Sequence, residues 1–209
     1  MKDKAIILDL DDTLLSTHYR QYCCIHDYLV NEGKQFISFE DYLQTRRSNN
    51  LSNTNLLTTL NIDLDWEAFR LYYQNNIESE NYLALDELIV EKHFLTEALQ
   101  KHFKLILLSL RSNQEHSKKQ IHNLGIHDFF ESIYFEKHDH GTNPKLNRLQ
   151  QLSNDFDVYS FCGDSVSDYE AAQQLNINFV QVKTALYRLP DFEQARQFDN
   201  INQYFLTIL

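Results

Sequence analysis

Short runs of consecutive apolar residues recur along the chain, and stretches with helical periodicity separate the later ones. Such runs predict strands of a parallel sheet covered on both faces, because these strands have no polar face. The runs fall at residues 5–8, 104–108, 132–135, 158–162 and 178–182. Strands that alternate with helices predict an α/β fold whose parallel sheet has right-handed crossovers.

The helices predicted in the second half of the chain have recognisable ends. The pattern over 113–124 stops at Gly125, and glycine is common just after a helix. Asn143 and Pro144 precede a helix over 145–152, since proline is favoured in the first turn. A third helix is predicted over 166–175.

The stretch between the first two predicted strands is helical throughout and too long for a crossover. We therefore expect a core domain formed by residues 1–13 and 88–209, and an inserted helical domain at 14–87. Long insertions at this position often act as lids. Helices are predicted within the insertion at 16–31, 39–47, 54–60 and 65–78. Its expected core includes four aromatic side chains at helical spacing, namely Trp66, Phe69, Tyr72 and Tyr73.

The amino-acid composition limits the fold class of the protein and the molecules that it is expected to bind. The 209 residues include 4 glycines and 2 prolines, which favours long helices over a sandwich with frequent turns. A net charge of −11 argues against a general surface for nucleic acid or acidic membranes. Three cysteines without a CxxC pattern predict a protein without disulfide bonds. Acidic residues follow the N-terminus closely, which argues against a signal peptide. We expect a cytoplasmic protein.

Acidic residues follow two of the predicted strands at their carboxyl ends, where open parallel sheets bind ligands. Asp9 and Asp11 follow the first strand and point to the same side, because side chains alternate along an extended backbone. Asp164 follows the fourth strand, and Asp168 lies one helical turn later. Close carboxylates repel each other unless a cation lies between them. An oxygen-only cluster of this kind suits Mg²⁺.

Two further polar side chains accompany these acids. Ser109 ends the second strand, and Lys145 begins the helix before the fourth; both are suited to hold a phosphoryl group. A carboxylate can attack phosphorus to form an aspartyl-phosphate, and a second can protonate the leaving oxygen and then activate water. Taken singly, the residues also fit structural roles: an aspartate as a helix cap, Ser109 in packing, and Lys145 as a solvated lysine.

Together, in this order, the residues resemble the four motifs of the haloacid dehalogenase superfamily of phosphohydrolases. LDLDDTLL is similar to the first motif, DxDxT, and the segment Gly163-Asp164-Ser165-Val166-Ser167-Asp168 is similar to the fourth, GDSxxD. Ser109 resembles the second motif, and Lys145 within Asn-Pro-Lys resembles the third. The resemblance covers about 1–13 and 88–209 and implies a Rossmann-like three-layer core. The insertion resembles the helical cap of the phosphoglycolate-phosphatase and β-phosphoglucomutase branch.

The resemblance also implies a role for each motif residue. Asp9 would be the nucleophile, and Asp11 the general acid and base that also gives a backbone carbonyl to the metal. Asp164 would bind Mg²⁺, while Asp168 would support the site. The expected metal set is Asp9, Asp11, Asp164 and Asp168, and the expected catalytic set is Asp9, Asp11, Ser109 and Lys145.

The sequence departs from the superfamily pattern at a few positions. Asp12 replaces the glycine of the common form DxDGT, and Leu110 stands where relatives often carry asparagine. The Pro-Gly pair that precedes the second helix in relatives is absent, and residues 81–85 take its place. We expect a mobile loop rather than a metal site at His138 and His140. Substrate contacts are predicted at Thr13, Leu110, Arg111, His18, Arg20, Arg46 and Arg47. For Arg46 and Arg47, a solvated basic helix face is an equally good interpretation.

We therefore expect a Mg²⁺-dependent phosphatase that acts on a small phosphorylated metabolite. No nucleic-acid or membrane partner is expected, and the chain should be a monomer or weak dimer. One alternative is a phosphomutase, which returns the phosphoryl group to a sugar phosphate. A dehalogenase would not need Mg²⁺ and usually lacks the second acid of the first motif. A binding domain that has lost turnover is the remaining alternative. The sequence does not identify the substrate.

Overall fold

The computed structural model describes residues 2–137, 139, 141–187, 190, 192 and 195–209. The chain divides into two compact units, which we call the core unit and the helical unit. The core unit comprises Met1–Ser16, Glu87–Ala185 and Leu189–Leu209. The helical unit comprises Thr17–Asp86 together with Leu186–Arg188. Most of the helical unit is therefore one insertion after Ser16, and a short second segment near the C-terminal end of the chain joins it.

The core unit is built on a parallel sheet, which confirms the predicted α/β class. Within the described residues the sheet has six strands in the order β5-β4-β1-β6-β7-β8. The predicted strands are all present, and the sequence analysis missed β8. This strand lies at the sheet edge and is short and partly exposed, so it lacks a continuous apolar run. The strands are β1 (Lys4–Leu8), β4 (Lys104–Leu110), β5 (Ser132–Glu136), β6 (Asp157–Gly163), β7 (Phe179–Val182) and β8 (Arg196–Phe198).

The two faces of β1 explain why its sequence is apolar throughout. Ile6 and Leu8 belong to a core cluster on one face of the sheet, and Ala5 and Ile7 belong to a second cluster on the other. All four side chains are fully buried. Helices cover the sheet, so that helix, sheet and helix form three layers. The helices of the core unit are α6 (Lys92–Gln100), α7 (Gln114–Asn123), α8 (Pro144–Asp155), α9 (Val166–Gln174) and α10 (Ile201–Ile208).

A small antiparallel pair of strands lies where the chain leaves and re-enters the core unit. Strand β2 (Leu15–Ser16) pairs with β3 (Glu87–Leu88), with Leu15 opposite Leu88. The N–H of Ile89 also donates to the carbonyl of Leu14 over 2.8 Å. The two crossing segments are thus held side by side by backbone hydrogen bonds. None of the helices in the described part of the chain is long and apolar enough to cross a membrane.

The helical unit has its own apolar core and helices with polar caps. Ser38, Ser52 and Asp65 each accept a backbone N–H at the start of a helix, which stabilises an otherwise unpaired donor. Tyr42 and Phe69 are buried in this core. Its helices are α1 (His18–Asn31), α2 (Phe39–Asn49), α3 (Asn53–Thr59), α4 (Trp66–Asn76) and α5 (Glu80–Leu83).

Trp66 corrects one expectation for this unit. Tyr72 and Tyr73 pack against the apolar core as predicted, but the side chain of Trp66 is 41% exposed. Periodicity places Trp66 on the same stripe of α4 as Phe69. Trp66, however, is the first residue of α4, so less of the unit covers it.

Candidate active site

The candidate site lies in the core unit, at the carboxyl end of the parallel sheet. Leu8, the last residue of β1, pairs with Leu107 of β4 and with Cys162 of β6. Asp9 follows at once, and its N–H donates to the carbonyl of Cys162 over 2.9 Å. Asp164 directly follows the end of β6. The sheet register therefore brings the two carboxylates to the same edge.

Lys145 joins this edge to the helix layer. Its ammonium Nζ lies 2.6 Å from Asp9 Oδ1 and 2.5 Å from Asp168 Oδ1. All three side chains are buried, with at most 3% of each residue exposed. Charge-assisted hydrogen bonds at this burial are strong, because water does not compete for the donors. Lys145 thus holds the carboxylates of Asp9 and Asp168 close to each other, although the two residues are far apart in sequence.

Local contacts at the start of α8 place Lys145. The carboxamide oxygen of Asn143 accepts the N–H of Lys145 over 3.1 Å and so caps the helix, and Pro144 occupies its first turn. The Nδ2 of Asn143 donates to the carbonyl of Ser167 over 2.7 Å. The start of α8 is therefore tied to the start of α9, where Asp168 lies.

Asp168 is held rigidly at the start of α9. Its Oδ2 accepts hydrogen bonds from the N–H of Ser165 at 3.1 Å and from Ser165 Oγ at 2.6 Å. The N–H of Asp168 donates in turn to Ser165 Oγ over 3.3 Å. Together with the bond from the Ser165 N–H, it forms a capping box between the N-cap residue Ser165 and Asp168 at N3. A Cβ atom at Gly163 would lie 2.4 Å from Asp168 Oδ2. The close approach of Asp168 therefore explains why glycine precedes Asp164.

The acids outnumber the cation in this cluster. Among the described residues, Asp9, Asp164 and Asp168 place ligand oxygens within 4.8 Å of one another. Burial raises the pKa of Asp9 to about 7; the charges of Asp168 and Asp11 raise it as well, and Lys145 opposes them. The pKa of Asp164 is raised well above its usual value, by burial first and then by Asp9.

Lys145 titrates in the opposite sense. Burial by itself lowers the pKa of its ammonium, but the neighbouring Asp168 and Asp9 carboxylates outweigh burial and raise the pKa overall. Lys145 therefore stays charged. Among the residues that the structure describes, one positive charge faces three carboxyl groups, so the cluster is short of positive charge when all are ionised.

Asp11 lies beside this cluster and pairs with Arg111. The Nε of Arg111 donates to Asp11 Oδ2 over 2.7 Å, and Nη2 donates to Asp11 Oδ1 over 2.5 Å. Arg111 is 1% exposed, whereas the Asp11 side chain is 31% exposed. The sequence gives no sign of this pair, because Asp11 and Arg111 are distant along the chain. The guanidinium of Arg111 contacts both oxygens of the Asp11 carboxylate, and its contact with substrate stays a prediction.

Asp12 and Thr13 form the turn after Asp11. Asp12 has a φ of 51°, in the left-handed region that glycine adopts without strain. Aspartate tolerates this region better than most residues, which explains how it replaces the glycine of DxDGT. The carbonyl of Asp12 accepts a hydrogen bond from Thr184 Oγ1. Thr13 is fully buried, and its Oγ1 has no hydrogen-bond partner among the described residues.

Ser109 and Leu110 end strand β4 next to these residues. Ser109 is 1% exposed and lies opposite Phe135 of β5. Leu110 is partly buried and lies opposite Glu136. The register therefore places both residues at the carboxyl edge that also carries Asp9 and Asp164. Their contacts with a substrate stay a prediction.

Arg20, one of the candidates in the helical unit, lies next to an acidic side chain of the same unit. Arg20 is 4% exposed, and its guanidinium lies 3.2 Å from the carboxylate of Asp86. His18 is also buried, whereas Arg47 is exposed. His138 and His140 lie outside the described residues.

Arg46 is buried and has partners inside the helical unit, so the solvated face that the sequence offers as an alternative does not apply to it. Its contact with substrate stays a prediction. Arg46 is 5% exposed. Its Nε donates to the carbonyl of Leu51 over 2.9 Å, and Nη1 donates to Tyr42 Oη over 2.6 Å and to Gln21 Oε1 over 3.0 Å. These contacts join three segments of the unit, so Arg46 stabilises its packing.

Comparison with solved structures identifies many similar folds. A predicted phosphatase from Clostridium acetobutylicum superposes with a TM-score of 0.68 at 13% identity, covering 100% of this chain and 98% of that one. A HAD-superfamily hydrolase of subfamily IA from Geobacter sulfurreducens gives 0.67 at 15% identity, covering 99% and 100%. The HAD-hydrolase YfnB from Bacillus subtilis, solved bound to magnesium, gives 0.64 at 13% identity, covering 100% and 99%.

The search among curated proteins finds no match to this chain. The comparison with family models, in contrast, identifies a family. The model of the haloacid dehalogenase-like hydrolases matches residues 6–182, from the first strand through β7. This range includes Asp9, Ser109, Lys145 and Asp164. The chain therefore belongs to the haloacid dehalogenase-like hydrolase family.

Proposed function

We propose that this hydrolase is a Mg²⁺-dependent phosphatase that cleaves a small phosphomonoester through an aspartyl-phosphate at Asp9. The observation that carries the proposal is the position of Lys145, which bridges Asp9 and Asp168 beside Asp164. A buried carboxylate held by a lysine suits attack on an anionic phosphoryl group, because the ammonium offsets the charge repulsion.

A divalent cation fits the acidic cluster. Its carboxylates lie close together, with Asp9 and Asp168 buried and Asp164 partly buried. The raised pKa values of Asp9 and Asp164 indicate that their full ionisation is costly without added positive charge. Asp9 and Asp164 are the residues that would hold Mg²⁺, with waters and substrate oxygen as its other ligands. When bound, the ion would supply positive charge that offsets the charge of the phosphoryl oxygens. Asp168 is already engaged by Lys145 and Ser165, which suits a positioning role.

The chain's own residues account for both halves of the reaction. In the first half, a carboxylate oxygen of Asp9 bonds to phosphorus as the ester P–O bond breaks, and Asp11 gives a proton to the departing alkoxide oxygen. In the second, Asp11 takes a proton from water whose oxygen attacks phosphorus. The acyl phosphate bond then breaks, phosphate leaves and Asp9 is regenerated. Ser109 and Lys145 hold the transferring group in both halves.

Arg111 gives Asp11 a fixed orientation for these proton transfers. A bidentate guanidinium–carboxylate pair restrains both the position and the plane of the carboxylate. The half-exposed side of Asp11 leaves room for a leaving oxygen or a water. We propose that the helical unit, which is inserted between the first and second motifs, selects the organic part of the substrate.

Phosphate release from p-nitrophenyl phosphate with and without Mg²⁺ tests the proposal. We expect turnover that requires Mg²⁺, and we expect Asp9→Asn to reduce kcat by at least about a thousandfold, since the nucleophile is lost. Asp3→Asn is the matched control, because Asp3 is exposed just before the same strand. Full activity in the Asp9 variant would contradict the mechanism, and phosphoryl transfer to a sugar phosphate in place of water would indicate a mutase. A panel of phosphorylated metabolites then identifies the substrate.

A further inference from the structure

The helical unit contains a pocket whose lining includes none of the motif residues. Its volume is about 440 Å³, which is within the range of small-molecule sites. Five residues of α4 and the start of α3 form its wall. The residues that matter here are Trp66, Phe69, Arg70, Tyr73, Gln74 and Asn53.

The α4 residues lie on one face of the helix, since they are spaced by three and four positions. A stripe of this kind is usually buried against a neighbouring element. Here Phe69 is 6% exposed, but Trp66 is 41% exposed, and Arg70 and Gln74 are exposed as well. One edge of the stripe therefore packs into the unit, and the other edge is open to solvent at the pocket.

Aromatic rings form the apolar wall of the pocket in a fixed arrangement. The rings of Trp66 and Phe69 meet edge to face, with centroids 6.2 Å apart and planes at 83°. The ring of Phe69 contacts that of Tyr73 at 5.8 Å. Phe69 also packs edge to face on Tyr28 at 5.2 Å, which anchors the wall in the core of the unit. Such rings offer flat faces for stacking without further ordering of the side chains.

A polar network holds the back of the pocket in place. Asn53 Oδ1 accepts the hydroxyl of Tyr42 over 2.8 Å, and Asn53 Nδ2 donates to Gln21 Oε1 over 3.0 Å. Asn53 Nδ2 also lies 3.5 Å from Tyr73 Oη. Burial raises the pKa of Tyr73, so its hydroxyl keeps its proton and can donate it.

The groups at the open side of the pocket are mainly hydrogen-bond donors. Within the described residues, no hydrogen bond or ion pair involves the guanidinium of Arg70, the indole Nε1–H of Trp66 or the amide of Gln74. Arg70 brings a positive charge to a chain whose net charge is −11. Donors, one cation and aromatic faces together suit a ring that carries negative charge.

We propose that this pocket binds a planar aromatic ligand that carries an anionic group. The ring stacks on the Trp66–Phe69–Tyr73 wall, and the anion is held by Arg70. Binding needs neither Mg²⁺ nor Asp9, so the proposal does not depend on the phosphatase function. The same chemistry could belong to the organic part of the substrate or to a separate effector.

Tryptophan fluorescence tests the proposal directly, because Trp66 is the only tryptophan of the chain. The full chain in EDTA is titrated with benzoate and with adenosine 5′-monophosphate, two aromatic anions of different size. Benzyl alcohol lacks the charge, and ribose 5-phosphate lacks the ring. We expect saturable quenching by at least one aromatic anion, about tenfold weaker binding of benzyl alcohol than of benzoate, and no quenching by ribose 5-phosphate. Absence of quenching by both aromatic anions would overturn the proposal.

Variants on α4 show whether the quenching comes from the pocket. Arg70→Gln should weaken binding of the aromatic anion by about tenfold, because the charge-assisted contact is lost. Leu71→Gln is the matched control on the same helix, since Leu71 is 59% exposed and does not line the pocket. Circular dichroism establishes that both variants are folded. Equal affinity in Arg70→Gln and wild type would contradict the assigned role of Arg70.

A kinetic measurement then distinguishes the two sources of the ligand. Mg²⁺-dependent hydrolysis of acetyl phosphate, which has no ring, is measured with increasing amounts of the anion that binds. Competitive inhibition identifies the pocket with the organic part of the substrate, whereas a change in kcat or no change identifies a separate effector site. Failure of hydrolysis itself would count against the phosphatase function and would leave the fluorescence result unaffected.

Discussion

The two units of this protein each bury charged side chains, but they balance the charges differently. In the core unit, Asp9, Asp164 and Asp168 surround Lys145, so negative charge is in excess. In the helical unit, buried Arg20 faces buried Asp86 at 3.2 Å, so within the described residues this pair carries one charge of each sign. A balanced pair of this kind needs no added charge, whereas an excess of one sign favours binding of a proton or a cation. The difference suggests how a structural ion pair and a catalytic cluster can be told apart.

The largest expected effect comes from breaking the balanced pair. Arg20→Met should lower the free energy of unfolding by about 3–5 kcal/mol, because it leaves the carboxylate of Asp86 buried without its cation. Urea denaturation measures the change. The double variant Arg20→Met/Asp86→Leu should recover much of the loss, since neither charge remains.

The exposed pair of Lys104 and Glu131 is the control for this experiment. Glu131→Gln should change stability by less than about 1 kcal/mol, because water screens both charges. If Arg20→Met were as mild as Glu131→Gln, the pair in the helical unit would not be structural. The prediction of Arg20 as a substrate contact would then become the better explanation.

The second effect is the pH dependence of the metal-free protein. Folding raises the pKa of Asp9 from 3.8 to about 7. Between these values the folded state holds a proton that the unfolded state has released, so stability falls as pH rises. This group alone contributes up to about 4 kcal/mol of that fall.

Denaturation of the chain in EDTA at pH 5 and pH 8 measures the part of this fall that lies above pH 5, about 3 kcal/mol. Added Mg²⁺ should restore stability mainly at pH 8. Asp9→Asn removes the titrating group and should flatten the profile. A metal-free protein whose stability rises from pH 5 to pH 8 in step with Asp9 ionisation would show that Lys145 fully balances the cluster.

The third effect concerns Arg111, which forms an ion pair with Asp11 in the core unit. Arg111→Lys keeps the charge but loses the bidentate contact with Asp11. We expect kcat to fall by about ten- to a hundredfold, since a misplaced general acid is a poor one, while KM changes little. Steady-state kinetics with the best substrate of a metabolite panel give both constants. A raised KM at constant kcat would instead support the sequence-based assignment of Arg111 to substrate.

The fourth effect has the opposite sign to the first. Asp164→Asn removes one negative charge from the overcharged cluster and should raise the stability of the metal-free protein by about 1 kcal/mol at pH 8. The same substitution should abolish the rise in Tm that Mg²⁺ produces. Thermal unfolding with and without Mg²⁺ measures both changes. Destabilisation by Asp164→Asn in EDTA would show that its carboxylate is already satisfied within the fold.

The sequence predicted the parts of this molecule that follow from strand order. The carboxyl ends of parallel strands share one edge, so the positions of Asp9, Ser109 and Asp164 could be inferred from apolar runs and their ends. The start of α8 could be inferred from Asn143 and Pro144. The roles of these residues in catalysis stay predictions.

The sequence could not show which long side chains turn inward. Arg46 and Arg111 look like solvated or ligand-binding cations until the tertiary fold brings Tyr42 and Asp11 next to them. Helical periodicity likewise cannot separate a packed stripe from one that lines a pocket, which is why Trp66 was expected in the core. In each case the deciding contact joins segments that are distant in sequence.

The smallest expected effect comes from two residues with left-handed backbone conformation, one in each unit. Asp12 and Asn50 both have a φ of 51°. Asn50 ends α2, where glycine is the preferred residue, so Asn50→Gly should raise stability by a few tenths of a kcal/mol. Asp12→Gly relieves the same backbone strain, but the more flexible unfolded chain offsets part of the gain. Its net change should also stay below about 1 kcal/mol.

Turnover should differ between the Asp12 and Asn50 variants, although their stabilities change by similar amounts. Asn50→Gly should leave turnover unchanged, because Asn50 ends a helix of the helical unit and is not one of the motif residues. Asp12 directly follows Asp11, and its carbonyl is held by Thr184. A freer turn at this point should loosen Asp11 and lower kcat by a few-fold, even where stability is preserved. Equal turnover in both variants would mean that Arg111 alone fixes the Asp11 carboxylate, and that the turn after β1 only has to be left-handed.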